Sequence, residues 1–223
     1  MIFDPSKPPL TDSAGLLKSV PVEAGPEIWK RATRVISSGL CDLQVNGFAG
    51  VDYNDPTLMP EEFEKSLFAM LSTGVTTCLP TVITGSEDWQ IKCFHALEAG
   101  RNASKLAQEM IPGYHLEGPF LNPEEGFCGC HPTKWMRPAT LDHFERLQEA
   151  AGGRITLVTV APEIKGVLDL IPKLVEKGIA VAIGHCNPDR DTLLRAADAG
   201  VTLSTHLGNG IAQMLPKKDN PIL

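Results

Sequence analysis

Three side chains with metal-ligand chemistry stand at the ends of short apolar runs in this sequence. Glu117 ends the strand-like part of the segment HLEGPF, His185 follows the run IAVAIG, and His206 follows VTLST. Such apolar runs are typical of buried strands, and the carboxyl ends of parallel strands meet at one rim of a barrel, where active sites lie. We therefore expect the three side chains to converge at that rim.

Convergence is what favours a metal site over the structural alternatives. A glutamate alone at a strand end often serves as a cap or an ion-pair partner, and a single histidine there is more often a hydrogen-bonded structural residue. Two imidazoles and one carboxylate suit zinc or iron, with zinc favoured, and three protein ligands leave one position open for water. The sequence predicts one divalent metal ion bound by Glu117, His185 and His206.

Other polar residues fall close to the predicted site. Gln44 and Asn46 end the run at 40–45 and point to one face, since strand side chains alternate. Their amide oxygens are weak ligands, so we expect one metal ion rather than two. The alternative for Asn46 is that it merely begins an Asn-Gly turn. His131 follows the strand of Glu117 in a loop above the same face, from which it could reach a bound ligand.

The remaining histidines and the cysteines suggest less chemistry. His95 and His143 fall in amphipathic helical segments, and we expect both in solvent. The six cysteines lack the spacing of a disulfide framework, so reduced thiols are expected. Cys128 and Cys130 form a C-x-C pair that could bind a soft metal, although no second thiol pair lies nearby in sequence to complete four ligands.

Alternating apolar runs and amphipathic segments predict an α/β fold of repeated βα units from residue 39 onward. The predicted strands are 40–45, 75–79, 113–117, 155–160, 179–183 and 201–204. The predicted helices are 60–73, 87–99, 140–150, 166–177 and 189–198. A closed (β/α)8 TIM barrel needs eight units, so residues 39–223 are expected to form a partial barrel of about six. Residues 1–38, rich in Pro, Gly and Ser, are expected to be a lead-in or the remnant of a small β domain.

The composition of the chain argues against nucleic acids and membranes as partners. The formal net charge is -7 and no basic stripe is present, so nucleic acid is not expected as a partner. The chain opens without a basic region followed by an apolar run, and no stretch approaches the roughly 18 apolar residues of a membrane span. We expect a cytoplasmic protein that acts on a small molecule and does not bind membranes. The sequence leaves a homodimer open.

Six segments together resemble a known family: DLQVNGFAGVDYN, TGVTTCLPTVIT, HLEGPFLNPEEGFCGCHP, VTVAPE, AIGHCN and THLGNG. In this order and spacing they are similar to the N-acetylglucosamine-6-phosphate deacetylases of the amidohydrolase superfamily. The resemblance implies an amidohydrolase-type TIM barrel that hydrolyses the N-acetyl amide of an amino sugar phosphate. It also implies a single metal ion on Glu117, His185 and His206, with the QVN segment in place of the superfamily's HxH.

The resemblance further implies substrate contacts from His131, Asn209 and Gly210, with Lys217 at the position where the family carries a phosphate-binding arginine. The family's catalytic aspartate follows the eighth barrel strand, and we expect it beyond residue 223, so no catalytic acid or base is assigned. Two alternatives stay open. The substrate could be another amide, which the change to THLGNG and Lys217 would favour, or the chain could be an inactive fragment.

Overall fold

The computed structural model describes residues 39–212 and residue 214. The predicted lead-in at 1–38 and the predicted phosphate-binding Lys217 lie outside these residues. The division of the chain at residue 39 therefore stays a prediction.

A six-stranded sheet forms the framework. Its strands are β1 (Leu40–Val45), β4 (Val75–Ile83), β5 (Tyr114–Glu117), β6 (Ile155–Val160), β7 (Ala180–Ile183) and β8 (Leu203–Ser204). They lie side by side in chain order, and β4 to β8 pair in parallel. A separate antiparallel hairpin of β2 (Gly47–Phe48) and β3 (Val51–Asp52) follows β1. The parallel order confirms the predicted βα repeat.

Helices connect the strands. They are α1 (Pro60–Leu71), α2 (Glu87–Ala103), α3 (Lys105–Met110), α4 (Leu141–Ala150), α5 (Val167–Glu176) and α6 (Arg190–Ala199). In α5 the buried positions are Val167, Leu170, Ile171 and Leu174, the spacing of one helix face. β5, which lies between β4 and β6, is buried at every position.

Local signals explain where the helices begin. The side chains of Ser86, Thr140 and Asp189 each accept a hydrogen bond from a backbone N–H in the first turn of α2, α4 and α6. Such N-caps satisfy donors that the helix itself leaves unpaired. Pro60 at the first position of α1 has the backbone angle that a helix start requires.

The structure corrects several predicted boundaries. β4 continues to Ile83, whereas the prediction ended at Leu79 because the proline that follows lacks an N–H for the ladder. β8 is shorter than predicted and begins at Leu203. The β2–β3 hairpin, α3 and a 3-10 turn at Thr133–Trp135 were not predicted, since segments of two to six residues are too short to show a period.

The prediction for His143 was wrong, whereas His95 is exposed as expected. His143 is only 3% exposed. Its Nδ1 lies 2.9 Å from Glu87 Oε2, and its ring meets the ring of Phe120 edge-on at 5.6 Å. The face of α4 that carries His143 packs against α2, and periodicity within one helix does not reveal such a neighbour.

Within the described residues, the structure contains no helix long and apolar enough to cross a membrane.

Candidate metal centre

The strand ends lie level with one another at one rim of the sheet. Ile83 pairs with Glu117 across β4 and β5, and Val160 pairs with Ile183 across β6 and β7. Glu117 is the last residue of β5, while His185 and His206 each follow their strand by two residues. The register therefore brings all three predicted ligands to the carboxyl rim.

Both histidines turn into the site through an uncommon backbone conformation. His185 has φ of 50° and His206 has φ of 29°. Residues other than glycine seldom adopt positive φ, although histidine does so more often than most. The left-handed turn at each strand end allows the imidazole to approach the glutamate.

Three ligand atoms converge at the rim. His206 Nε2 lies 3.0 Å from Glu117 Oε1, and His185 Nε2 lies 3.5 Å from the same oxygen. The two Nε2 atoms are 3.2 Å apart. The side chains of Glu117 and His185 are 3% and 6% exposed, while that of His206 is 28% exposed. Two imidazole nitrogens and a carboxylate oxygen in this arrangement fit one divalent metal ion.

Hydrogen bonds on the far side of His185 and Glu117 determine which atom each of these two side chains presents to the site. His185 Nδ1 lies 2.8 Å from the Phe127 carbonyl and donates to it, so the lone pair is on Nε2. Gln44 Nε2 donates to Glu117 Oε2 over 2.8 Å, which leaves Oε1 for a metal. The sequence indicates that the amide oxygen of Gln44 is at most a weak ligand, and in the structure the amide nitrogen faces Glu117. A carboxylate accepts hydrogen bonds only, so the amide presents its N–H instead, as outer partners of metal ligands do.

The protonation states of Glu117 and the histidines around it suit metal binding. Burial alone raises the pKa of Glu117, but the neighbouring imidazoles, among them His206 hydrogen-bonded to Oε1, outweigh this effect, and the net pKa lies well below its usual range. The hydrogen bond to Glu117 raises the pKa of His206. Burial lowers the pKa of His131 and of His115 to about 4. The glutamate is therefore ionised near neutral pH, and His131 and His115 are neutral.

A cavity of about 560 Å³ opens over the ligands. Its walls are formed by Gln44, Asn46, Asp52, Asn54, Ile83, Glu117, Gly129, Cys130, His131, His185, His206 and Asn209. The predicted polar pair of β1 and the predicted substrate contacts His131 and Asn209 thus surround one space with the candidate metal ligands.

His131 presents a donor to this cavity. Its Nδ1 receives the backbone N–H of Thr84 at 3.4 Å and lies 2.9 Å from the Thr84 hydroxyl. This leaves the proton on Nε2, which faces Glu117 Oε2 at 3.8 Å. The imidazole can therefore donate a hydrogen bond to a ligand in the cavity.

Gly210 lies apart from the cavity wall. It is buried, and a Cβ there would lie 3.1 Å from both His185 N and His206 Cε1. Gly210 lies between the backbone of His185 and the ring of His206, where a larger residue would not fit without a shift. Its contact with substrate stays a prediction.

The sequence did not place five residues of the cavity wall, namely Asp52, Asn54, Ile83, Gly129 and Cys130. Asp52 and Asn54 reach it because the β2–β3 hairpin folds back beside β1, and Asn54 Oδ1 accepts from the Ile83 N–H over 2.9 Å. The run of polar turn residues in DYND was the available signal. Cys130, from the C-x-C pair, lies beside the cavity mouth. Neither cysteine of that pair belongs to the cluster of metal-ligating groups found among the described residues.

Parallel barrel strands that carry one glutamate and two histidines on their carboxyl rim define an amidohydrolase-type barrel, with six of its strands among the described residues. No family model matches the chain. Comparisons with individual proteins are more specific.

The chain is 31% identical over 195 residues to an N-acetylglucosamine-6-phosphate deacetylase of Bacillus subtilis (strain 168), a match that covers 83% of this chain and 46% of the relative. It is 33% identical over 192 residues to an N-acetylgalactosamine-6-phosphate deacetylase of Shewanella sp. (strain ANA-3), covering 85% and 46%. A solved structure of N-acetyl-D-glucosamine-6-phosphate deacetylase from Mycobacterium smegmatis, a D267A mutant in complex with N-acetyl-D-glucosamine-6-phosphate, aligns with a TM-score of 0.72 at 28% identity, covering 83% of this chain and 46% of that one.

By sequence and by fold, the chain is similar to part of the N-acetylglucosamine-6-phosphate deacetylases. It spans about half the length of the curated relatives that it matches.

Proposed function

We propose that this protein takes part in the metal-dependent hydrolysis of the N-acetyl amide of N-acetylglucosamine 6-phosphate, giving glucosamine 6-phosphate and acetate. The observation that carries the proposal is the convergence of Glu117 Oε1, His185 Nε2 and His206 Nε2 on one point beneath a polar cavity. The names of the relatives supply the substrate class. The proposal includes the cytoplasmic location and the domain start at residue 39 expected from the sequence.

The proposed ion is a single zinc. Zinc polarises an amide carbonyl and activates water near neutral pH. Glu117, His185 and His206 would hold it, while Gln44 keeps the second carboxylate oxygen of Glu117 occupied. Gln44 and Asn46 stand where a second subsite would need stronger ligands.

The cavity wall supplies hydrogen-bonding groups for the sugar. His131 offers an Nε2–H close to Glu117, within reach of a substrate bound at the metal. Asn209 lines the same cavity from the loop after β8. We assign the phosphate to Lys217, whose ammonium group binds it as a point charge rather than as a bidentate fork.

Acetate release tests the proposal. The full chain is stripped with a chelator, reloaded with one equivalent of zinc and incubated with N-acetylglucosamine 6-phosphate. We expect little acetate from the 223 residues alone, because the expected catalytic aspartate lies beyond them, and zinc-dependent acetate release from a version extended through two more βα units. In that version Glu117→Gln should release none, since it keeps the shape of the side chain but removes its charge. Acetate at equal rates before and after reloading, or from the variant at the wild-type rate, would count against the metal site.

The relative from Shewanella makes the 4-epimer a second candidate substrate. N-acetylgalactosamine 6-phosphate and unphosphorylated N-acetylglucosamine are therefore included as parallel arms. Turnover of the unphosphorylated sugar at the same kcat/KM would show that the phosphate is not recognised.

A further inference from the structure

A chain of buried hydroxyl and imidazole groups runs beneath the metal ligands. Thr205 Oγ1 lies 2.6 Å from Thr159 Oγ1, and Thr159 Oγ1 lies 2.7 Å from His115 Nε2. His115 and Thr159 are 1% and 0% exposed. The chain joins β5 and β6 to the residue that directly precedes His206.

The far side of the His115 ring fixes the direction of these hydrogen bonds. The Nδ1 of His115 lies 3.4 Å from Thr81 Oγ1. The Thr81 hydroxyl donates to the Leu79 carbonyl and accepts from the Val45 N–H, so one lone pair of its oxygen remains to accept from Nδ1. Nδ1 therefore carries the proton, and Nε2 accepts from Thr159. Thr159 in turn accepts from Thr205.

His206 needs such an anchor more than the other ligands do. β8 has two residues, both exposed, and it lies at the edge of the described sheet. One backbone hydrogen bond, from Thr205 N to the Ile183 carbonyl over 2.8 Å, ties this turn to β7. The hydroxyl of Thr205 makes a second attachment, the hydrogen bond to the buried Thr159.

We infer that His115 is a positioning residue: through Thr159 and Thr205 it holds His206 in the orientation that meets Glu117 and His185. The inference rests on the proposed metal site, because its benefit is a preformed set of ligands. Outer partners of metal ligands orient them, and their loss typically lowers metal affinity by about 10- to 100-fold.

The test distinguishes the effect of the Thr205 hydroxyl on zinc binding from the effect of the packing of its side chain. Thr205→Val keeps the branched shape and removes the hydrogen bond, whereas Thr205→Ser keeps the hydroxyl. Thr202→Val is a matched control, since Thr202 is exposed three residues earlier. Zinc titration of the full chain should give a Kd about 10- to 100-fold higher for Thr205→Val, and Kd values near wild type for the serine variant and the control.

A second readout needs no metal. In the metal-free protein with 15N-labelled histidines, Thr205→Val should shift the ring resonances of His206 and His115 together, while Thr202→Val should leave both in place. A cycle of His115→Leu with Thr205→Val should be non-additive in zinc affinity, because either change cuts the same chain.

The outcomes distinguish the two proposals. Wild-type protein that binds no zinc would overturn the proposed function, and the ring resonances alone would then decide whether the chain of hydrogen bonds orients His206. Unchanged His206 resonances in Thr205→Val, or equal zinc affinity in the valine and serine variants, would overturn the role of His115. If His115→Leu fails to fold, the Thr205 variants still decide the result.

Discussion

At the scale of single residues, the site depends on groups whose protonation and direction are set by their neighbours. Glu117 is held ionised and shares its two oxygens between Gln44 on one side and His206 on the other. His185 donates through Nδ1 to the Phe127 carbonyl and so offers Nε2. Glu117 and His185 therefore each present one defined atom to the metal position.

Removing any one ligand should sharply lower bound metal. We expect Glu117→Ala, His185→Ala and His206→Ala each to lower the affinity for zinc by more than the roughly 10- to 100-fold that is typical of losing an outer partner. Each variant would keep only two of the three protein ligands. Elemental analysis of the purified variants measures the loss, with exposed His95→Ala as the control. Wild-type metal content in all three variants would exclude the assignment.

Gln44 and Asn46 lead to a prediction of stoichiometry. Amide groups bind divalent metals weakly, and Gln44 already donates its N–H to Glu117. Titration of the metal-free chain with zinc should therefore saturate at one tight equivalent. Two tight equivalents, measured by calorimetry, would contradict the single-ion site.

At the scale of elements, the packing of α4 on α2 depends on a buried histidine. His143 donates to Glu87, and Arg146 pairs with the same carboxylate. Arg137 Nη1 lies 3.9 Å from it. Burial lowers the pKa of His143, and the charge of Arg137 adds to this. The neutral imidazole is thus the form that suits the folded state.

Acid should weaken this contact. The folded pKa of His143 lies below its unfolded value of about 6.5, so the stabilisation is fully present above that pH and is lost as the pH falls below it. Between pH 7.5 and 5.5 this group contributes at most about 1.4 kcal/mol to the loss, the equivalent of one pKa unit. Urea unfolding should show a smaller loss over this range in His143→Gln than in wild type. His95→Gln is the control, and an identical loss in His143→Gln would refute the prediction.

At the scale of the whole molecule, the proposed metal links three strands of the sheet, including its exposed edge β8. A ligand that binds only the folded state stabilises it by about 2.7 kcal/mol at 100 times its Kd. For a domain of roughly 150 to 250 residues this raises the melting temperature by about 5 to 10 °C.

Thermal unfolding with and without excess zinc measures this shift. We expect it in the wild-type chain and in Thr202→Val, and we expect it to be largely lost in His206→Ala. A shift of the same size in His206→Ala would mean that zinc stabilises the chain from a different site.

The order of elements and the place of the ligands could be predicted from the sequence because both depend on local patterns. An apolar run followed by a turn marks a strand end wherever the strand lies, and parallel strands put all such ends on one rim. Glu117, His185 and His206 could therefore be placed together before any contact was known.

Contacts between distant segments were decided only by the tertiary structure. The hydrogen bond from Gln44 to Glu117 joins residues 73 positions apart, and the link from His115 to Thr159 spans 44. Which side chains meet across such distances depends on the register of neighbouring strands and on how helices pack over them, because a shift of one residue turns a side chain to the opposite face. For the same reason His143 was predicted in solvent and is buried against α2, which no pattern within its own helix could reveal.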